Sequence, residues 1–132
     1  RRVGRPGALV ALVSYATLHA DGVIEPLVEA FYRGPLDPHW PPERRLVESG
    51  YATIDLPFEP VSDPRLAIEV DWPLEPFIGY LGTWSAVQRL VRAGGVASWD
   101  AFTGELRARW GDPATVRHFT FPLAVRAGRI AR

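Results

Sequence analysis

The sequence predicts an α/β fold, and three observations predict it. An unbroken apolar run at residues 8–13 reads as an internal strand buried on both faces. Residues 66–72 alternate apolar and polar side chains, the period of a strand with one buried face. Elsewhere apolar residues recur every three or four positions, the period of helices with one buried stripe. The order is strand, two helices, strand, two helices, strand, with too few strands to close a conventional sheet.

The first strand, residues 8–15 (ALVALVSY), follows the turn Pro6-Gly7. Residues 17–22 are a polar loop, in which Asp21 is placed to cap a helix near Pro26, a residue favoured in a first turn. That helix carries Leu27, Val28, Phe31 and Tyr32 and ends at Gly34-Pro35. Pro41-Pro42-Glu43 opens a second, short helix with Leu46 and Val47 inward and Gly50 as terminator. Residues 56–64 are Pro-rich and irregular, anchored by Phe58. In the next strand Leu66, Ile68, Val70 and Trp72 form the buried face, and the acidic side, with Glu69 and Asp71, meets water or a ligand.

Leu74, Phe77, Ile78, Leu81, Trp84, Val87 and Val91 make one apolar stripe of a single helix over residues 73–93, stopped by Gly94-Gly95. Ser98 caps the next helix, which carries Trp99, Phe102, Leu106 and Trp110 and ends at Gly111. The last strand turns Phe119, Phe121, Leu123 and Val125 one way. Pro122 lies inside it and cannot donate a ladder hydrogen bond, so a bulge or an end of pairing is expected there.

Composition narrows the function classes. The chain has 132 residues and zero net charge, which argues against a nucleic-acid partner. All 15 basic residues are arginine, so lysine-based Schiff-base chemistry is excluded; with no cysteine, so are disulfides, thiolate nucleophiles and Cys-based metal sites. His19, His39 and His118 share no ligand spacing, and no metal is expected. No apolar stretch reaches the ~18 residues of a membrane span, so no membrane partner is expected and the default location is the cytoplasm. The sequence holds no methionine and therefore no start residue. With an apolar strand so near its first residue, the expectation is a single partial domain over residues 1–132, the back portion of a larger one. The first strand then keeps one free edge, through which the chain can self-associate.

Four segments carry a family resemblance. Pro6-Gly7-Ala8-Leu9-Val10-Ala11-Leu12 resembles the turn and fifth strand of class I methyltransferases that use S-adenosylmethionine. Phe31-Tyr32 followed by His39-Trp40-Pro41-Pro42-Glu43-Arg44 is similar to a segment of the type-11, trans-aconitate-methyltransferase-like branch. Gly79-Tyr80-Leu81-Gly82-Thr83-Trp84-Ser85-Ala86-Val87 resembles a helix of the same branch, and Trp110-Gly111-Asp112 with Phe121-Pro122-Leu123 resembles its closing helix and strand. The resemblance implies the C-terminal half of a Rossmann-like fold (strands five, six and seven with helical insertions), the last strand lying antiparallel between the other two. It implies S-adenosylmethionine as cofactor and a small-molecule acceptor, a carboxylate among the candidates. Gly82 departs from the pattern, since relatives often carry arginine there. The family's Gly-rich loop and ribose-binding acid have no counterpart in these residues, so no cofactor-binding residue is assigned and the piece alone is expected to be inactive.

Methyl transfer from a sulfonium needs alignment and exclusion of water more than a catalytic base, so no catalytic residue is assigned. The candidate substrate-binding residues are Ser14 and Tyr15 at the end of the first strand, His39 and Trp40, and Tyr80 and Trp84 on the long helix. Trp84 fits the core stripe equally well, Ser14 and Tyr15 fit ordinary loop polar groups, and His39-Trp40 fits a surface histidine beside a structural tryptophan. Arg89 and Arg92 suit a carboxylate or plain solvation. A non-catalytic binding or scaffold domain is the alternative function; a small hydrolase is disfavoured by the lack of a Gly-x-Ser-x-Gly elbow.

Overall fold

A computed structural model describes residues 4–62 and 64–131. Arg1 to Val3, with which the sequence opens, and Asp63 of the irregular segment lie outside them. The described residues fall into two compact units.

The first unit comprises the described residues 4–18, 43–62, 64–68 and 121–131. It is built on β1 (Leu9–Tyr15) and the far part of the long last strand, β5 (Arg117–Arg129). They pair antiparallel from Leu9 opposite Arg129 to Tyr15 opposite Leu123. Pro122 sets the end of this ladder. The Ala16 N–H still donates to the Pro122 carbonyl at 2.8 Å, but proline has no N–H to return, and β1 stops. Between β1 and β5 stand α2 (Arg44–Glu48) and the two-residue β3 (Glu59–Pro60), which pairs with β5 at Arg129 and Gly128. The short helix starts after Pro41-Pro42 as expected, and Gly50 at φ +60° ends its turn; Leu46 and Val47 are only half-buried. Arg126 Nη1 donates to the Ile54 carbonyl at 2.8 Å and to the Tyr51 carbonyl, which ties the connecting loop to β5.

The expected two-sided burial of the first strand is not found. Alternate residues of β1 face solvent, with Leu9 58%, Val13 59% and Tyr15 42% exposed. The apolar row of β4 (Ala67–Trp72), which pairs with β5, is corrected in the same way: Leu66 is 54% and Ile68 43% exposed, and only Val70 and Trp72 are half-buried. Alternation reports which side of a strand is apolar; covering that side takes an element to pack on it.

The second unit, residues 19–42 and 69–120, holds most of the core. It contains β2 (His19–Ala20), paired with β5 at Thr120 and Phe119, then α1 (Ile24–Arg33), α3 (Leu74–Gly82), α4 (Ser85–Arg92) and α5 (Val96–Trp110). α1 begins after Val23 with no side-chain cap. Asp21 turns instead to Arg117, 3.3 Å away, and Glu25 reaches back to the Ala20 N–H at 2.9 Å and to His19 at 3.0 Å. Gly95, not Ser98, precedes α5, whose end at Gly111 (φ +82°) agrees with expectation. The single helix expected over residues 73–93 is two helices. The core joins Ile24, Val28 and Phe31 to Leu74, Phe77, Leu81, Val87, Leu106 and Phe119, all almost fully buried. Phe31 stacks on Phe102 at 4.0 Å, and Phe77 on Phe119 at 4.2 Å.

Candidate functional site

The break between α3 and α4 builds the site. Gly82 is a poor helix former, and the Thr83 hydroxyl competes for the backbone by donating to the Tyr80 carbonyl at 2.6 Å. Gln88 Nε2 donates to the Gly82 carbonyl at 2.6 Å, which satisfies an acceptor that a continuous helix would have used. Trp84 is therefore extended, at φ −60° and ψ 133°, and leaves the stripe that buries Leu81 and Val87.

Trp84 joins an aromatic group instead. Its ring lies 5.6 Å from Trp40, 5.8 Å edge-on from Tyr32 and 5.9 Å edge-on from Tyr80. Tyr32 and Trp40 are 4.7 Å apart, and Tyr80 stacks on Trp72 at 5.0 Å. Tyr32 is buried, while Trp40, Trp72, Tyr80 and Trp84 are half-buried and keep part of each ring accessible. The segment before Pro41 is a 3-10 turn, Asp37–His39, held by a hydrogen bond of 3.3 Å from Arg89 on α4 to the His39 carbonyl. Arg89 thus has a structural contact, and His39 contributes its backbone. The guanidinium of Arg33 lies 5.4 Å over the Tyr32 ring.

Of the six residues predicted for a substrate site, His39, Trp40, Tyr80 and Trp84 come together in this unit. Ser14 and Tyr15 end β1 in the other unit, where Ser14 pairs with Ala124 and Tyr15 meets Phe121 edge-on at 5.8 Å. Sequence reasoning missed Tyr32 and Trp72 as members of the aromatic group. The signals were present: Tyr32 belongs to the Phe31-Tyr32 pair, and Trp72 sits two residues before the helix that carries Tyr80.

The acidic side of β4 is engaged by histidine. His118 Nδ1 lies 2.7 Å from Asp71, with Glu69 4.0 Å from its other ring nitrogen. The hydrogen bond to Asp71 above all, with the negative charges of Asp71, Glu69 and Asp21, raises its pKa above the ordinary imidazole value. Glu25 is shifted the other way, below the usual carboxylate range, chiefly by the Ala20 N–H and then by His19. Among the described residues, no three His, Cys, Asp or Glu side chains are grouped to hold a metal ion.

The described residues do not fit S-adenosylmethionine by themselves. The connection from β2 to α1 holds one glycine, Gly22, and that from β4 to α3 is Pro73 alone, so neither is a Gly-rich cradle. Chemically, the aromatic group offers flat apolar surface and two phenols, that of buried Tyr32 and that of half-buried Tyr80.

The class defined by this geometry is an α/β protein with an antiparallel sheet around β5 and an aromatic surface at a broken helix. No protein-family model matches the chain, and no curated protein does. Among solved structures, the chain is similar to a protein of Anaeromyxobacter dehalogenans assigned as a type II methyltransferase, at 44% identity and a TM-score of 0.88. The match covers all of this chain and 57% of that one. Among the described residues, no helix is long and apolar enough to cross a membrane.

Proposed function

We propose that this chain is the C-terminal portion of a class I methyltransferase, of the trans-aconitate-methyltransferase-like branch, that moves a methyl group from S-adenosylmethionine to a small-molecule acceptor in the cytoplasm. The observation that carries the reading is the 44% identity with the Anaeromyxobacter protein across the whole of this chain. In this reading the cofactor supplies an activated methyl group and is held mainly by residues outside this chain. Trp40, Tyr80 and Trp84, with Tyr32 behind them, give the acceptor a flat apolar wall that excludes water, and the Tyr80 hydroxyl orients the acceptor atom for in-line attack. His39 belongs to the same proposed acceptor site, and Ser14 and Tyr15 are proposed as substrate-binding residues of the first unit.

Calorimetry with S-adenosylmethionine on residues 1–132 and on the protein extended upstream to its start codon tests this. Micromolar binding to the extended protein and none to residues 1–132 is expected. Micromolar binding to residues 1–132 would misplace the cofactor site, and no binding to the extended protein would refute the methyl-transfer reading.

A further inference from the structure

In the first unit, the connector between α2 and β4 is fastened to β5 by its backbone and by an arginine. β3 pairs with Arg129 and Gly128, and the Val61 N–H donates to the Ala127 carbonyl at 3.1 Å. Gly128 permits this approach, since a Cβ there would stand 2.8 Å from Phe58 Cβ. Arg126 Nη1 donates to the Tyr51 and Ile54 carbonyls. Tyr51 has a left-handed φ of +61°, costly for a bulky residue, so the guanidinium helps to hold a strained turn. Residues 55–58 bridge the fastened ends, and between the connector and β5 lies a cavity of about 170 Å³. Leu56, Phe58, Val61 and Ala127 line it with apolar groups, and Asp55 and Arg126 bring one charge of each sign. All of these residues belong to the first unit, whereas the aromatic group belongs to the second.

Opposite charges lining so small a space would ordinarily pair, and these two do not. Among the described residues Asp55 has no ion-pair partner, and Nε and Nη2 of Arg126 have no hydrogen-bond partner. With Nη1 committed to the two carbonyls, the Nε–Nη2 edge is left to take a carboxylate with two parallel bonds. A plain carboxylate bound there would meet the charge of Asp55, and a plain amine on Asp55 would meet that of Arg126. The apolar wall has room for a short side chain, since a cavity of about 150 Å³ holds a benzene ring. We propose that this cavity binds an apolar α-amino acid of about leucine size, with its carboxylate on Arg126, its ammonium on Asp55 and its side chain against Leu56, Phe58, Val61 and Ala127. An α-amino acid carries both charges on one carbon, so it satisfies both residues at once. Its charged end sits at the rim, where Asp55 is exposed and Arg126 half-buried. The site stands whether or not the protein transfers methyl groups.

An NMR titration of the protein extended upstream to its start codon, with L-leucine as probe, tests the proposal. The amides of Leu56, Phe58, Val61 and Ala127 should shift and saturate by about 1 mM leucine. 4-Methylpentanoate, which lacks the amine, and isopentylamine, which lacks the carboxylate, keep the same apolar body. Each should bind at least about 10-fold more weakly, the loss of one charge-assisted pairing. Asp55→Asn should bring leucine down to the affinity of 4-methylpentanoate and leave the melting temperature unchanged, because Asp55 is exposed and has no partner to lose. Arg126→Ala would also free the Tyr51 turn, so the second variant is Val61→Phe, which fills the cavity and should abolish the shifts. No shift of these amides at about 10 mM leucine overturns the proposal. So does 4-methylpentanoate binding as tightly as leucine, which would leave an apolar pocket with no use for Asp55. Unchanged leucine affinity in Asp55→Asn overturns it as well.

Discussion

Truncating Trp84 to alanine separates a core residue from a site residue. As a member of the buried stripe, the tryptophan would cost about 3–5 kcal/mol on truncation. The structure gives a smaller figure. Trp84 is half-buried, and its ring contacts are those with Tyr32, Trp40 and Tyr80 at 5.6 to 5.9 Å. Aromatic pairs contribute about 0.5–1.5 kcal/mol each, and a partly exposed ring sits at the lower end. Trp84 precedes α4 without a side-chain cap, so no capping bond is lost. The expected cost of Trp84→Ala is therefore about 2 kcal/mol, or about 8 °C in melting temperature for a chain of this size. Phe119→Ala, at a fully buried ring stacked on Phe77, should cost about 3–5 kcal/mol. Tyr80→Phe keeps the ring on Trp72 and should cost under about 1 kcal/mol, the range of one hydrogen bond. Thermal denaturation followed by near-ultraviolet circular dichroism ranks the three variants. In the longer protein, turnover of Tyr80→Phe should fall further than its stability. A cost for Trp84→Ala equal to that of Phe119→Ala would return the residue to the core and refute the site as drawn.

The His118 imidazole should titrate above its ordinary value in an NMR titration, and Asp71→Asn should bring it down. Because the shift is upward, the stability it adds is complete below the ordinary imidazole value and is lost as pH rises through the raised one. Glu25 carries the opposite sign: its contribution is present above the ordinary carboxylate value and is lost as pH falls through the depressed one. Glu25→Gln should remove that acid-side loss in pH-dependent melting. Gly128→Ala should destabilise by about 1–3 kcal/mol in urea unfolding, since the added Cβ would stand 2.8 Å from Phe58 Cβ and 3.1 Å from the Glu59 carbonyl. Gly104→Ala, where a Cβ meets nothing within 4 Å, is the control and should be neutral or slightly stabilising.

An unbroken apolar run made β1 legible, periodicity made α1, α5 and β5 legible, and Pro122 foretold where the β1 ladder stops. Three features stayed hidden for physical reasons. The two-residue strands β2 and β3 are too short to carry a period. β5 continues past Val125 through Arg126 and Arg129, whose partners are loop carbonyls that no local pattern announces. Exposure of the apolar rows of β1 and β4 depends on what packs over them, and a pattern of side chains does not encode that. In the site, the motif around Thr83-Trp84 pointed to Tyr80 and Trp84 and the His39-Trp40-Pro41-Pro42 segment to Trp40, whereas Tyr32 and Trp72 read as core because their own elements gave them apolar neighbours.

The broken helix shows why a correct stripe led to an incorrect element. Leu74, Phe77, Ile78 and Leu81 on α3, and Ala86, Val87 and Leu90 on α4, are all buried, so the two halves obey the same periodicity and point at the same core. Val91, at the far end of the predicted stripe, is only half-buried, and Trp84, at the joint, escapes the core. A straight helix would drive this side chain between Leu81 and Val87, where a large ring has to displace well-packed neighbours. The Gly82-Thr83 break interrupts the backbone ladder, Gln88 satisfies the Gly82 carbonyl, and Trp84 is freed to face Trp40 and Tyr32. The local departure from helix geometry is therefore what turns a core pattern into an accessible aromatic surface.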